Sequence, residues 1–127
     1  MSLATMDPNP VWDADAHADT VEILRQFDDA TFRVWGGDWC KDCRAQLPDF
    51  GAALDAAGIR DENVHEYAVE KAEDGSKVGP LVEEYGIDYI PTVVVERDGE
   101  ELARFVESEP EPIATYLAQE LVGQVQS

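Results

Sequence analysis

The chain has 127 residues, 44% of them hydrophobic, which is enough for one domain with a real core and not for two. Its 28 Asp and Glu against 9 Lys and Arg leave a net charge of −19, a balance that disfavours binding to nucleic acid or to anionic membrane. Met1 to Trp12 has neither a basic n-region nor an apolar h-region, and no later stretch approaches the roughly 18 apolar residues of a membrane span, so a soluble, cytoplasmic protein is expected.

In chain order, residues 1–15, with Pro8-Asn9-Pro10, are expected to be a flexible N-terminus ahead of a single domain over 16–127. A helix is predicted from Ala18 to Phe27, with Val21, Leu24 and Phe27 inward. Thr31 to Trp35 reads as a strand ending at Gly36-Gly37, and it leads directly into Trp39-Cys40-Lys41-Asp42-Cys43. From Lys41 to about Ala57 the pattern is helical, with Leu47, Phe50 and Leu54 on one face, Pro48 a source of a kink and Gly58 a stop. Val64 to Val69 reads as a second strand, and Val78 to Tyr85 as a short helix ended by Gly86. Thr92 to Glu96 holds three consecutive valines, the mark of a strand covered on both faces. Asp98-Gly99 is a hairpin turn signal, so Glu101 to Val106 should return antiparallel. A last helix runs from about Glu111 to Val122, with Pro112 in its first turn.

Cys40 and Cys43, the only two cysteines, carry the chemistry. A C-x-x-C pair opening a helix places the first sulfur beside unpaired backbone N–H groups at the positive end of the helix dipole, which favours a thiolate. Cys40 is then the nucleophile, and Cys43, one turn on, can attack a mixed disulfide formed there. Lys41 supports the Cys40 thiolate while Asp38 and Asp42 oppose it, so the net shift has no sign from sequence. Two other readings stand beside this one. The pair could be half of a zinc site, although only His17 and His65 would be available besides carboxylates, and both are expected to face solvent. It could also be a structural disulfide, although so small a loop stabilises little. The reading is of a redox-active Cys40–Cys43 pair with no other cofactor and no metal.

Strand, Trp39-Cys40-x-x-Cys43, Pro48 five residues on, and Ile90-Pro91-Thr92 before a valine strand with Asp98-Gly99 together resemble the thioredoxin superfamily over roughly residues 18 to 123. The resemblance implies an α/β thioredoxin fold, a central mixed four-stranded sheet flanked by helices, here with an extra N-terminal helix. It implies a cis Pro91 beside the sulfurs, Ile90, Pro91 and Thr92 as the substrate-docking edge, and Trp39 shielding the site. Lys41-Asp42 stands where common thioredoxins have Gly-Pro, and the motif is similar to the Trp-Cys-Pro-Asp-Cys of thioredoxin-related proteins. Val34 stands where thioredoxins carry a buried Asp that takes a proton from the resolving thiol. Asp42, water or Glu66, which matches a lysine neighbouring that Asp, are the candidate acceptors. Glu107 stands where thioredoxins have a glycine lining the groove, and should narrow the groove or repel some substrates.

The expected function is protein-thiol/disulfide oxidoreduction on protein or small-molecule disulfides, with an unidentified upstream reductase and a monomeric state. A specialised reductase of small disulfides or peroxidase partners, and a non-catalytic thioredoxin-fold binding module, are the alternatives. Acidic residues spread over the whole chain, with only Lys41, Lys71 and Lys77 as lysines, match the surface of a halophile's protein.

Overall fold

A computed structural model describes residues 3–107 and 109–126. In chain order the elements are α1 (Ala18–Arg25), β1 (Thr31–Gly36), α2 (Lys41–Ala56), β2 (Val64–Ala68), β3 (Glu70–Lys71), β4 (Lys77–Val78), α3 (Val82–Tyr85), β5 (Thr92–Arg97), β6 (Glu100–Val106) and α4 (Ile113–Gln126). The longer strands form the expected mixed four-stranded sheet in the order β2-β1-β5-β6. β1 and β2 are parallel, which requires a crossover that α2 supplies; β1–β5 and β5–β6 are antiparallel. Asp98 and Gly99, with φ of 54° and 80°, close the β5–β6 hairpin in a two-residue turn whose twist suits the strands.

Register sorts the sheet into two faces. Phe32 and Val34 of β1 align with Val95 and Val93 of β5, and these with Ala103 and Phe105 of β6; all six are buried. α2 lies on this face, because a side chain added at Gly36 would meet Leu47 and the Cys43 sulfur. α4 packs on β6 and on α1 and α2. On the opposite face Trp35 stacks on Tyr67 and Tyr85, with centroids 5.0 Å apart in each pair, and its Nε1 donates to the Pro80 carbonyl at 2.9 Å. Arg33 Nε donates to Glu96 at 2.6 Å, and the Tyr85 hydroxyl donates to the same carboxylate at 2.7 Å. Desolvation opposes the Glu96 charge, but those two hydrogen bonds outweigh it and hold this carboxyl below its ordinary range.

α2 runs unbroken through Pro48 and ends in a Schellman motif: Gly58, at φ 74°, donates to Asp55 O, and Ile59 to Leu54 O. The stop read at Gly58 is the one that forms.

Several expectations change. The segment expected to be flexible is docked where it is described: Leu3, Thr5 and Met6 are buried, and Met6 packs so closely on α2 that a side chain at Gly51 would strike its carbonyl oxygen. Leu3 and Met6, three residues apart, present one apolar side to the core. α1 stops at Arg25, and Phe27 reaches the core from the tight turns that follow. The helix expected from Val78 is only Val82–Tyr85, since Pro80 lacks an N–H and Leu81 sits at φ 61°; Lys77–Val78 instead pairs with Glu70–Lys71. Pro112 precedes α4 rather than lying in its first turn, and its carbonyl accepts from Tyr116. His17 is not solvent-facing alone: its ring stacks on Trp12 at 4.7 Å.

Candidate active site

The β1 strand delivers the chain to the C-terminal edge of the sheet, and Gly36-Gly37 lets it turn into α2. At Gly37 any side chain would collide with the Trp39 indole, whose Nε1 donates to Val69 O at 2.8 Å. The ring is thereby pinned over the loop with 46% of its surface exposed. Cys40 is the N-cap of α2, and its sulfur accepts from the Cys43 backbone N–H at 3.4 Å. One of the four orphan donors at the helix start is therefore spent on the Cys40 sulfur. The sulfur also faces the Ile90 carbonyl at 3.9 Å, and the Ile90–Pro91 peptide bond is cis.

The two thiols differ sharply. Cys40 is partly exposed; Cys43 is fully buried, and both are free. Burial, with lesser help from Cys40 and Asp42 and against a backbone hydrogen bond from Gly37, pushes the Cys43 thiol up to about 12. The wall around it is tight, with Gly36, Leu47 and Leu3 meeting beside its sulfur. Val34, in the place of the resemblance's buried Asp, is fully buried and offers no proton acceptor.

Of the residues read from the sequence, Cys40, Cys43 and Ile90 come together, with the cis Pro91 next to Ile90 in the chain and Trp39 immediately before Cys40. Lys41 and Asp42 are exposed in the first turn of α2, and Asp42 acts on Cys43 electrostatically. Glu66 lies on the α2 face of the sheet, paired with Val34, but its carboxylate accepts from the Leu3 N–H at 2.6 Å and is not among the groups acting on Cys43. The side chains of the expected docking edge, Ile90, Pro91 and Thr92, are all buried; Thr92 in addition pairs with Trp35 and Val106 inside the sheet, and its hydroxyl donates back to Tyr89 O.

Other contributors escape the sequence patterns. Tyr89, 54% exposed, presents its ring to solvent next in the chain to the buried Ile90. Asp38 accepts from the Thr5 N–H at 3.1 Å, tying the active-site loop to the N-terminal segment. Glu107, at φ 51°, donates its N–H to Pro91 O at 2.8 Å, and its carbonyl accepts from Gln46 Nε2 at 2.9 Å. A left-handed φ explains why glycine suits this position and why Glu107 carries backbone strain. Among the described residues no group of three or more His, Cys, Asp or Glu is arranged to hold a metal, and no helix is long and apolar enough to cross a membrane.

The sequence matches no protein-family model and none of the curated proteins. Solved structures do match. Mitochondrial thioredoxin 3 from Saccharomyces cerevisiae, in oxidised form, superposes with a TM-score of 0.53 at 17% identity, covering 79% of this chain and 83% of that one. A thioredoxin variant from Halobacterium salinarum gives 0.51 at 20% identity over 97% and 95% of the two chains. A chain from a structure concerning thiol resolution in the yeast mitochondrial 1-Cys peroxiredoxin via glutathione/thioredoxin systems gives 0.52 at 15% identity over 96% and 99%. The chain has the thioredoxin fold.

Proposed function

We propose that this chain is a dithiol/disulfide oxidoreductase that reduces disulfides through Cys40. The carrying observation is the asymmetry of the pair, with Cys40 accessible at the helix N-cap facing Ile90 O and Cys43 buried behind it. The Cys40 thiolate attacks one sulfur of the substrate, forming a Cys40–substrate disulfide and expelling the other substrate sulfur as a thiolate. Cys43 then attacks the Cys40 sulfur, forming the Cys40–Cys43 disulfide and releasing the second thiol. Two electrons pass to the substrate, and an upstream dithiol reductase restores the pair. Trp39 and Tyr89 supply the exposed apolar docking surface, and the Ile90 carbonyl lies against the Cys40 sulfur.

Cys43 must lose a proton for the second step. Forming the mixed disulfide removes the contribution of Cys40 to the raised Cys43 value, but burial, its largest cause, remains. Asp42, through water, is the acceptor this arrangement favours, since Glu66 is engaged by the N-terminal segment.

Replacing Cys43 by Ala should trap substrate on Cys40 as a mixed disulfide that dithiothreitol releases. A partner retained equally well by the protein lacking both cysteines would instead support the binding-module reading. Redox titration followed by tryptophan fluorescence should show a reversible two-electron transition, and a potential near about −270 mV rather than −120 mV would fit a reductase.

A further inference from the structure

We propose that the groove between α2 and the segment following β6 is a subsite for a positively charged side chain of the disulfide substrate, so that the protein selects disulfides flanked by Lys or Arg; this rests on the dithiol reading above. The groove is a cavity of about 400 Å³ lined by the apolar Trp12, Phe50 and Pro112 and by the carboxylates Asp49, Glu109 and Glu111. No lysine or arginine lines it. Its one basic group, His17, is turned to the Asp13 carbonyl at 2.9 Å and stacked on Trp12.

The groove continues the candidate active site rather than standing apart from it. Cys40 faces Ile90 O, Pro91 O accepts from Glu107, and Glu107 O accepts from Gln46, which itself lines the groove. Gln46 lies six residues beyond Cys40, about 9 Å along a helix axis, which an extended peptide spans in about three residues. A substrate cysteine joined to Cys40 would therefore place a residue three positions away at the groove. A Lys or Arg there lays its aliphatic stem on Trp12 and Pro112 and its charge among the carboxylates. A carboxylate at the same place meets like charge. In the Asp49 carboxylate one oxygen already accepts from Asn9 Nδ2 at 2.8 Å, and Glu109 shares a hydrogen bond with the Tyr116 hydroxyl, which leaves Glu111, with the charge of Glu109 behind it, as the main selector.

The test is single-turnover oxidation of the pre-reduced protein, at low ionic strength, by symmetrical peptide disulfides that differ only in carrying Arg, Gln or Glu three residues from cysteine. Each reaction converts the Cys40–Cys43 dithiol to its disulfide and one peptide disulfide to two peptide thiols. Rates should fall in the order Arg, Gln, Glu, by about two- to tenfold per step. The double variant Glu109→Gln, Glu111→Gln should bring the Arg-to-Gln ratio close to one by slowing the Arg peptide relative to the Gln peptide. A control, Glu62→Gln with Glu100→Gln, removes the same charge at the opposite end of the sheet and should keep the ratio. A ratio unmoved by the groove variant, or lost equally in the control, would overturn the subsite. If none of the peptides oxidises the protein, the dithiol reading is lost and the subsite with it.

Discussion

Two cysteines three residues apart end in opposite surroundings, and the difference is made by one helical turn. Cys40 sits at the N-cap where the sheet edge meets solvent, whereas Cys43 points into the wall of Gly36, Leu47 and Leu3. With its thiol pushed up to about 12, only about one Cys43 in ten thousand is ionised at pH 8. In a Cys40→Ser protein the Cys40 contribution is gone but burial, the largest cause, remains, so iodoacetamide should modify Cys43 only slowly at pH 8, with the rate climbing as the pH is raised. Rapid modification at neutral pH would show that the burial does not protect this sulfur. The Trp39-Cys40-x-x-Cys43 spacing was readable from the sequence because it is local. The roles of Glu66 and Thr92 were not, because each is decided by a partner distant in the chain: Leu3 for the one, the strands on either side for the other.

At the scale of elements, the N-terminal segment is the main departure from the linear reading. Pro8-Asn9-Pro10 suggested an unstructured leader, yet Asn9 donates its N–H to Pro48 O at 3.0 Å and its side-chain amide to Asp49, while Thr5 bonds Asp38. The segment thus straps α2 to the active-site loop. Gly51→Ala tests this. Alanine would gain up to about 1 kcal/mol of helix propensity, but its methyl would meet the Met6 carbonyl, a backbone atom that yields only if the strap moves. Overpacking of this kind costs about 1–3 kcal/mol, so a net loss in denaturant midpoint is expected, together with faster amide exchange in residues 3–9. An unchanged or raised midpoint would mean that the strap contributes little. By contrast, β1, β5, the Asp98-Gly99 turn and the Gly58 stop were legible, since alternation, β-branched runs and left-handed glycines act within a few residues. β3, β4 and the shortened α3 were not, because the 70–85 stretch is too polar and too short to show a period.

For the whole molecule, the charge of −19 is spread over helix faces, loops and the rim of the groove. Few cations offset it: among the described residues the salt bridges all use arginine, and most are exposed pairs worth little. Self-repulsion should then limit stability in dilute buffer, and the melting temperature should rise from low to molar salt as the screening length contracts to about 3 Å. A flat or falling melting temperature would remove the case for a salt-adapted surface. The same screening should shrink the preference for cationic disulfides, so the two effects of salt run in opposite directions.

By itself the sequence determined the chemistry on offer and the sheet that carries it. The paired thiols at a helix start, the buried valine strand, the hairpin and the surplus of carboxylates all depend on near neighbours or on composition. Tertiary structure alone decided which groups work together: that Cys43 is sealed from water, that Glu66 is bound to the backbone of residue 3, and that Gln46 and Glu107 join the thiol edge to an acid-rimmed groove. Those relations join positions tens of residues apart, and burial and hydrogen bonding at such range arise only when the chain has packed.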